Sequence, residues 1–183
     1  MPKKENQEFV SKQYRGEVLH AMSYLEMLIN MFISSYFCSG DIKKAEQMIL
    51  YILGDDRTNL GAKTQMIQQI GINHLKSWWD SYKSPRKPDK GKSPYKMSSD
   101  FQFVVEERNV FAHRIVDEID LVNNYVFNTK PITFLRFKND IQGIEYTSQS
   151  FDLLIKTIYS LGAHMIKVIE KSDFLKSTLP PSD

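Results

Sequence analysis

The sequence predicts a predominantly all-α protein: an up-and-down bundle of about five helices, with a small β-hairpin inserted before the last one. Three observations carry this expectation. Apolar residues recur at three- and four-residue spacing through most of the stretch before residue 124 and again after residue 149. Short breaks such as Ser39-Gly40-Asp41 and Gly54-Asp55 cut that pattern into helix-sized pieces. Between residues 125 and 147 the residues turn β-branched and aromatic. With 183 residues the chain suits one domain with a sizeable core, placed here at 13–172, with a basic loop at 83–98 inside it and a loose tail at 173–183.

Composition narrows the class. A formal net charge of +2 does not by itself announce a nucleic-acid binder. Cys38 is the only cysteine, so an intramolecular disulfide and a cysteine-based zinc site are excluded and a reducing compartment is expected. The polar start, Met1 to Glu8, lacks the apolar core of a signal peptide. The most apolar stretch, Ala21 to Cys38, carries Glu26, Asn30, Ser34 and Ser35, which suits a buried core helix better than a membrane span. The expectation is a soluble, cytoplasmic protein without a membrane partner.

Taken in order, residues 1 to 12 read as polar and frayed, and a long helix runs from about 13 to 38. Leu19, Met22, Ile29, Ile33 and Phe37 share one side of it, with Glu26 at the centre. Met27, Leu28, Met31 and Phe32 extend the apolar surface round the helix, which marks it as central to a bundle or a dimer. A short helix spans about 42 to 53 and stops at Gly54. The next, about 59 to 82, carries Leu60, Lys63, Met66, Ile67, Ile70, Leu75 and Trp78, with Gly71 as a weak point. The adjacent Trp78 and Trp79 are read as core residues ahead of base-stacking ones.

Lys83 to Ser98 is the clearest loop, with Pro85, Pro88, Pro94 and Gly91. Its basic residues include Arg86, Lys87, Lys90, Lys92 and Lys96, against one acid, Asp89. It reads either as a solvated insert or as an arm that tracks phosphates. A helix from Ser99 to about Asn123 follows, opened by a Ser99–Gln102 capping-box pattern. Phe101, Val104, Val105, Phe111, Ala112, Ile115 and Ile119 form its apolar stripe. The hairpin is expected from Tyr125-Val126-Phe127, Ile132 to Phe137 and Ile144 to Thr147, with turn residues at Lys138-Asn139-Asp140. The last helix, about 149 to 171, buries Leu154, Ile158, Leu161, Met165 and Ile169.

The chemistry-bearing residues converge on the helix after the loop. Arg108 projects from the apolar stripe, where an unpaired charge is costly. Glu26, inside another stripe, is its expected counter-charge. Asn109 and His113, four apart, share a face at the stripe's border. His20, His74 and His164 read as structural or surface residues. No cluster has metal-ligand spacing, no glycine-rich phosphate loop is present, and no cofactor is called for.

Arg108-Asn109-Val110-Phe111-Ala112-His113 resembles the Arg-polar-x3-His signature of the HEPN domains, an all-α family of ribonucleases and their inactive relatives. The first helix with a central glutamate, Ser23-Tyr24-Leu25-Glu26-Met27-Leu28, and the helix opening Leu60-Gly61-Ala62-Lys63 are similar as well. The resemblance implies a metal-independent endoribonuclease that leaves 2′,3′-cyclic phosphate ends, acting as a toxin or defence effector. Arg108, Asn109 and His113 would be catalytic, with Glu26 in support and Arg86, Lys87, Lys90, Lys92 and Lys96 on the RNA. Histidine suits proton transfer near neutrality, and arginine suits bidentate phosphate binding. The resemblance also implies a homodimer with its site at the two-fold interface. Phe103 and Val110, apolar on the back of the signature helix, agree with that. A cognate antitoxin or a neighbouring protein is a further expected partner. The alternative reading is a non-catalytic, dimeric interaction module that binds a partner protein, a nucleotide or RNA.

Overall fold

The computed structural model describes residues 2–39, 41–55, 58–113, 115–116, 132–137 and 141–170. It is predominantly helical. The helices are α1 (Pro2–Cys38), α2 (Ile42–Met48), which runs on into a π-helical turn (Ile49–Leu53), α3 (Leu60–Asn73), α4 (Lys76–Asp80), α5 (Met97–His113) and α6 (Ser148–Ile169). The strands are β1 (Ile115–Val116), β2 (Ile132–Phe137) and β3 (Ile141–Tyr146).

The bundle is built round α1, which packs against α6, α5, α3 and α2. Val18, Ala21, Met22, Leu25, Leu28, Ile29, Phe32 and Ile33 are all buried along it. The core therefore lies partly to one side of the expected stripe. Phe37 is exposed, and Glu26 stands at the core's edge and not at its centre. Helix α1 also starts at Pro2, where an ordered start had not been expected. Proline suits the first helical position, since its missing N–H would have no partner there. The lysines and glutamates that follow are good helix formers. At the other end Ser39 takes a left-handed conformation, with φ 48°, which stops the helix. Asp41 then caps α2 by accepting from the Lys44 N–H at 3.1 Å, and this bond holds its carboxyl below the usual range.

The expected helix over 59–82 is two helices, broken at His74-Leu75. Asn59 caps the first, accepting from the Ala62 N–H at 3.0 Å. The break lets α4 lay Trp79 over Gly71, where a Cβ atom would stand 2.3 Å from the indole ring. Gly71 is thus a close-contact residue and not a loosened middle. Trp78 stacks between Phe32 and His164, with centroids 5.0 and 5.1 Å away. Its indole N–H donates to the His164 carbonyl, and His164 Nε2 lies 3.0 Å from the Trp78 carbonyl. A carbonyl only accepts, so His164 carries its proton on Nε2. Both tryptophans serve the core.

Helix α5 begins at Met97, ahead of the Ser99 cap that was expected, and ends at His113, about ten residues short of Asn123. The β-branched Ile115 and Val116 instead pair antiparallel with Leu135 and Phe134 of β2. In the stretch expected to hold the hairpin, β2 pairs antiparallel with β3, from Ile132 opposite Tyr146 to Phe137 opposite Ile141. The expected turn at Lys138-Asn139-Asp140, the segment Tyr125-Val126-Phe127 and the tail at 173–183 lie outside the described residues. Tyr146, at the end of β3, ties the sheet to α5. Its hydroxyl donates to the Glu107 carboxylate, and its ring meets Phe111 edge-on at 4.7 Å. Burial raises the pKa of both groups. Thr147 and Ser150 then form a capping box that starts α6. Leu154, Ile158, Leu161, Met165 and Ile169 of α6 are buried as the periodicity predicts. Among the described residues no helix is long and apolar enough to cross a membrane.

Three measurements follow from this packing. Gly71→Ala drives a methyl group into the Trp79 ring and should cost about 1–3 kcal/mol by chemical denaturation. Gly16→Ala meets nothing within 4 Å in α1 and should stabilise by about 0.5–1 kcal/mol. His164 titrates below its ordinary range because burial disfavours its charged form. Below about pH 6.5 the unfolded chain therefore binds a proton that the folded chain resists. Stability should fall as pH drops through that window, by at most about 1.4 kcal/mol per pH unit from this residue. Thermal melts of His164→Gln should show a flatter profile over the same range.

Candidate functional site

A groove of about 620 Å³ opens between α1, the segment after the π-helical turn, the start of α3 and the second half of α5. Glu26 and Asn30, one turn apart on α1, form one wall, and Lys63 enters from α3. Val105, Arg108 and Asn109 of α5 share a helix face at i, i+3 and i+4 and form the opposite wall.

The Lys63 ammonium donates to Glu26 Oε1 at 2.5 Å. Only 4% of the Lys63 side chain is exposed, against 38% for Glu26. The carboxylate expected to neutralise Arg108 is therefore engaged by Lys63. The physical reason is depth: the nearly buried ammonium cannot be left alone, whereas a half-buried guanidinium at the groove can be hydrated. Arg108 donates from Nη1 to Asn109 Oδ1 at 3.3 Å and enters no ion pair among the described residues. On the other wall, Asn30 Oδ1 is buried with no hydrogen-bond partner among the described residues.

Of the residues singled out from sequence, Glu26, Arg108 and Asn109 meet at this groove. His113 closes α5 one turn beyond Asn109, and its side chain lies outside the described residues. The loop residues separate into two kinds. Arg86 is not an open phosphate ligand. Its Nε donates to Asp100 Oδ1 at 2.7 Å, and Nη2 donates to the Ser99 carbonyl at 3.2 Å. Its guanidinium is packed between Tyr95 and Phe103. Asp100, fully buried, also accepts from the Tyr82 hydroxyl at 2.7 Å. Burial raises the Tyr82 pKa, so the phenol stays a donor. Lys87, Lys90, Lys92 and Lys96 are exposed, with Lys92 bonded to Asp89 at 2.5 Å. They precede Met97, and Arg108 lies about 16 Å further along α5 at 1.5 Å per residue. The basic loop is pinned to the end of α5 away from the groove.

Phe103 and Val110, expected as a free apolar back face, are half-buried and packed against the core. Lys63 was not singled out as a site residue. Its signal was a lysine at a core position of the α3 stripe. Among the described residues no cluster of His, Cys, Asp and Glu is grouped to hold a metal ion.

The ion pair predicts an asymmetry. Glu26→Ala leaves a buried ammonium uncompensated and should cost about 3–5 kcal/mol. Lys63→Met leaves a carboxylate that water can reach and should cost under about 1.5 kcal/mol. Urea unfolding of the two variants measures the difference directly. Comparison of the chain with protein-family models, characterised proteins and solved structures gives no match to any of them.

Proposed function

We propose that the protein is a HEPN-like, metal-independent endoribonuclease, with Arg108, Asn109 and His113 at its active site. The observation that carries this reading is the state of Arg108. It borders an open groove with no ion pair among the described residues, because Lys63 has taken Glu26. A guanidinium so placed suits two phosphate oxygens. Asn109, accepting from Nη1, orients it.

In this mechanism the RNA 2′-oxygen attacks the adjacent phosphorus, and a new O2′–P bond forms. The P–O5′ bond breaks, leaving a 2′,3′-cyclic phosphate and a 5′-hydroxyl. The proton lost from the 2′-hydroxyl and the one gained by the 5′-oxygen pass through His113 and a second group or solvent. Arg108 neutralises charge that builds on the phosphorane oxygens. Glu26 supports the site by keeping Lys63 neutralised. Lys87, Lys90, Lys92 and Lys96 serve as a remote backbone contact for longer RNA, while Arg86 is excluded from that role by its tie to Asp100.

The second reading, a dimeric module that binds a partner protein such as an antitoxin, draws on a different observation. Leu50, Tyr51 and Ile52 stand side by side on the π-helical turn with half or more of their surface exposed. Apolar runs of that kind often mark contact surfaces.

Incubation of a mixed RNA pool with purified protein in EDTA separates the readings. The nuclease reading predicts cleavage with cyclic phosphate ends. His113→Ala should reduce it by about 10²–10⁴-fold. Absence of cleavage, with tight binding of a protein partner, would favour the module.

A further inference from the structure

We propose that the furrow between α3 and α5 is the path of a single RNA strand, running from Arg108 to the basic loop. This deepens the nuclease reading and rests on it for the phosphate at Arg108. A second groove, of about 500 Å³, lies along the seam of α3 and α5. Gly61 and Val105 line both it and the groove bordered by Arg108, so the two adjoin. From there it passes Thr64, Gln65 and Gln68 of α3 and Gln102 of α5, and it reaches Ser98 and Ser99. Ser98 stands two residues beyond Lys96, where the basic loop ends. Lys87, Lys90 and Lys96 of that loop are exposed and enter no ion pair among the described residues.

The chemistry of this path suits a polyanion with hydrogen-bonding groups along it. A surface helix ordinarily turns charged residues to solvent. Helix α3 carries a single charged residue, Lys63, and that one is buried against Glu26. The exposed residues of α3 are amide or apolar, so none of them repels a phosphate. The hydroxyls and amides along the furrow can bond sugar, phosphate and base edges. The acid on its wall, Glu106, is exposed and accepts from Gln102 at 2.9 Å. Helices in contact lie about 8–10 Å apart, so the furrow between them admits one strand and not a duplex. Cations mark its two ends, about 16 Å apart at 1.5 Å per residue of α5, a span that a few nucleotides cover. An uncharged, hydrogen-bonding middle between cationic ends holds a strand by its backbone, without strong base preference.

The test measures binding of 2′-O-methyl oligoribonucleotides, which lack the attacking hydroxyl, to the full-length protein by fluorescence anisotropy in EDTA. A ten-residue strand should bind at least about 10-fold tighter than a dinucleotide, with a salt slope steeper by about 0.7 for each further phosphate held. Gln65→Glu and Ser98→Glu each put a negative charge into the path. Each should weaken the longer strand about 3–10-fold and change the dinucleotide by less than about 2-fold. Ser98→Glu places its acid in the first turn of α5, where the helix dipole favours it, so the melting temperature should not fall. Gln69→Glu adds the same charge to α3 outside this groove and should alter neither length. Equal binding of the two lengths overturns the path, even if unmodified RNA is cut. So does equal weakening by Gln65→Glu and Gln69→Glu, or equally tight binding of the strand annealed to its complement. Polyglutamate binding as tightly as the longer strand overturns the RNA assignment in favour of an acidic partner. Length-dependent binding that Gln65→Glu weakens, with no cleavage of unmodified RNA, upholds the path and overturns the nuclease reading.

Discussion

The nearly buried ammonium of Lys63 is the constraint on which the candidate site depends. An ammonium with so little water around it needs an anion in contact, and Glu26 across the α1–α3 seam is that anion. The pair fixes the register of α3 against α1 at the level of the groove. It also decides what Arg108 can do. Had Glu26 closed on Arg108, the guanidinium would have been a core strut. With Glu26 committed to Lys63, Arg108 stays at the groove, bonded to Asn109. One ion pair thus separates a structural cation from one open to a ligand.

The remaining polar clusters hold the surroundings of that groove. At the start of α5, buried Asp100 gathers Arg86 and Tyr82 and pins the proline-rich loop. At the end of α5, Tyr146 and Glu107 fasten the sheet. Both clusters place a carboxylate on α5 where an aromatic hydroxyl can reach it. Helix α5 is therefore held at each end, with Arg108 and Asn109 set between Glu107 and Phe111, the two residues that meet Tyr146. Such support favours a geometry that a phosphate would find already formed.

Much of the fold was legible in the sequence, since periodicity reports which positions are apolar. Helix α6 is the clearest case, with every named core residue buried. Periodicity does not report which helix faces which. Glu26 and Arg108 both read as mid-stripe charges, and pairing them was a deduction about contact that the pattern alone could not make. Lys63 sat in the α3 stripe with the same peculiarity and carried the decisive contact. Arg86 shows the converse limit. In sequence it is one of several loop cations, and only the fold brings Asp100 and Phe103 to it. The end of α5 was misread because Ile115 and Ile119 fit a helical stripe while Ile115-Val116 also fits a strand. A non-local partner, β2, decides between them.

Whether Lys63 releases Arg108 for a phosphate is tested by calorimetric binding of a short RNA analogue lacking the attacking 2′-hydroxyl, by wild type and Arg108→Gln, alongside their unfolding curves. The substitution should weaken binding by about tenfold or more, the loss of a charge-assisted bond. Stability should change little, within about 1 kcal/mol for a half-buried residue in no ion pair among the described residues. Unchanged affinity together with a large loss of stability would contradict that release, and would return Arg108 to the core as a strut.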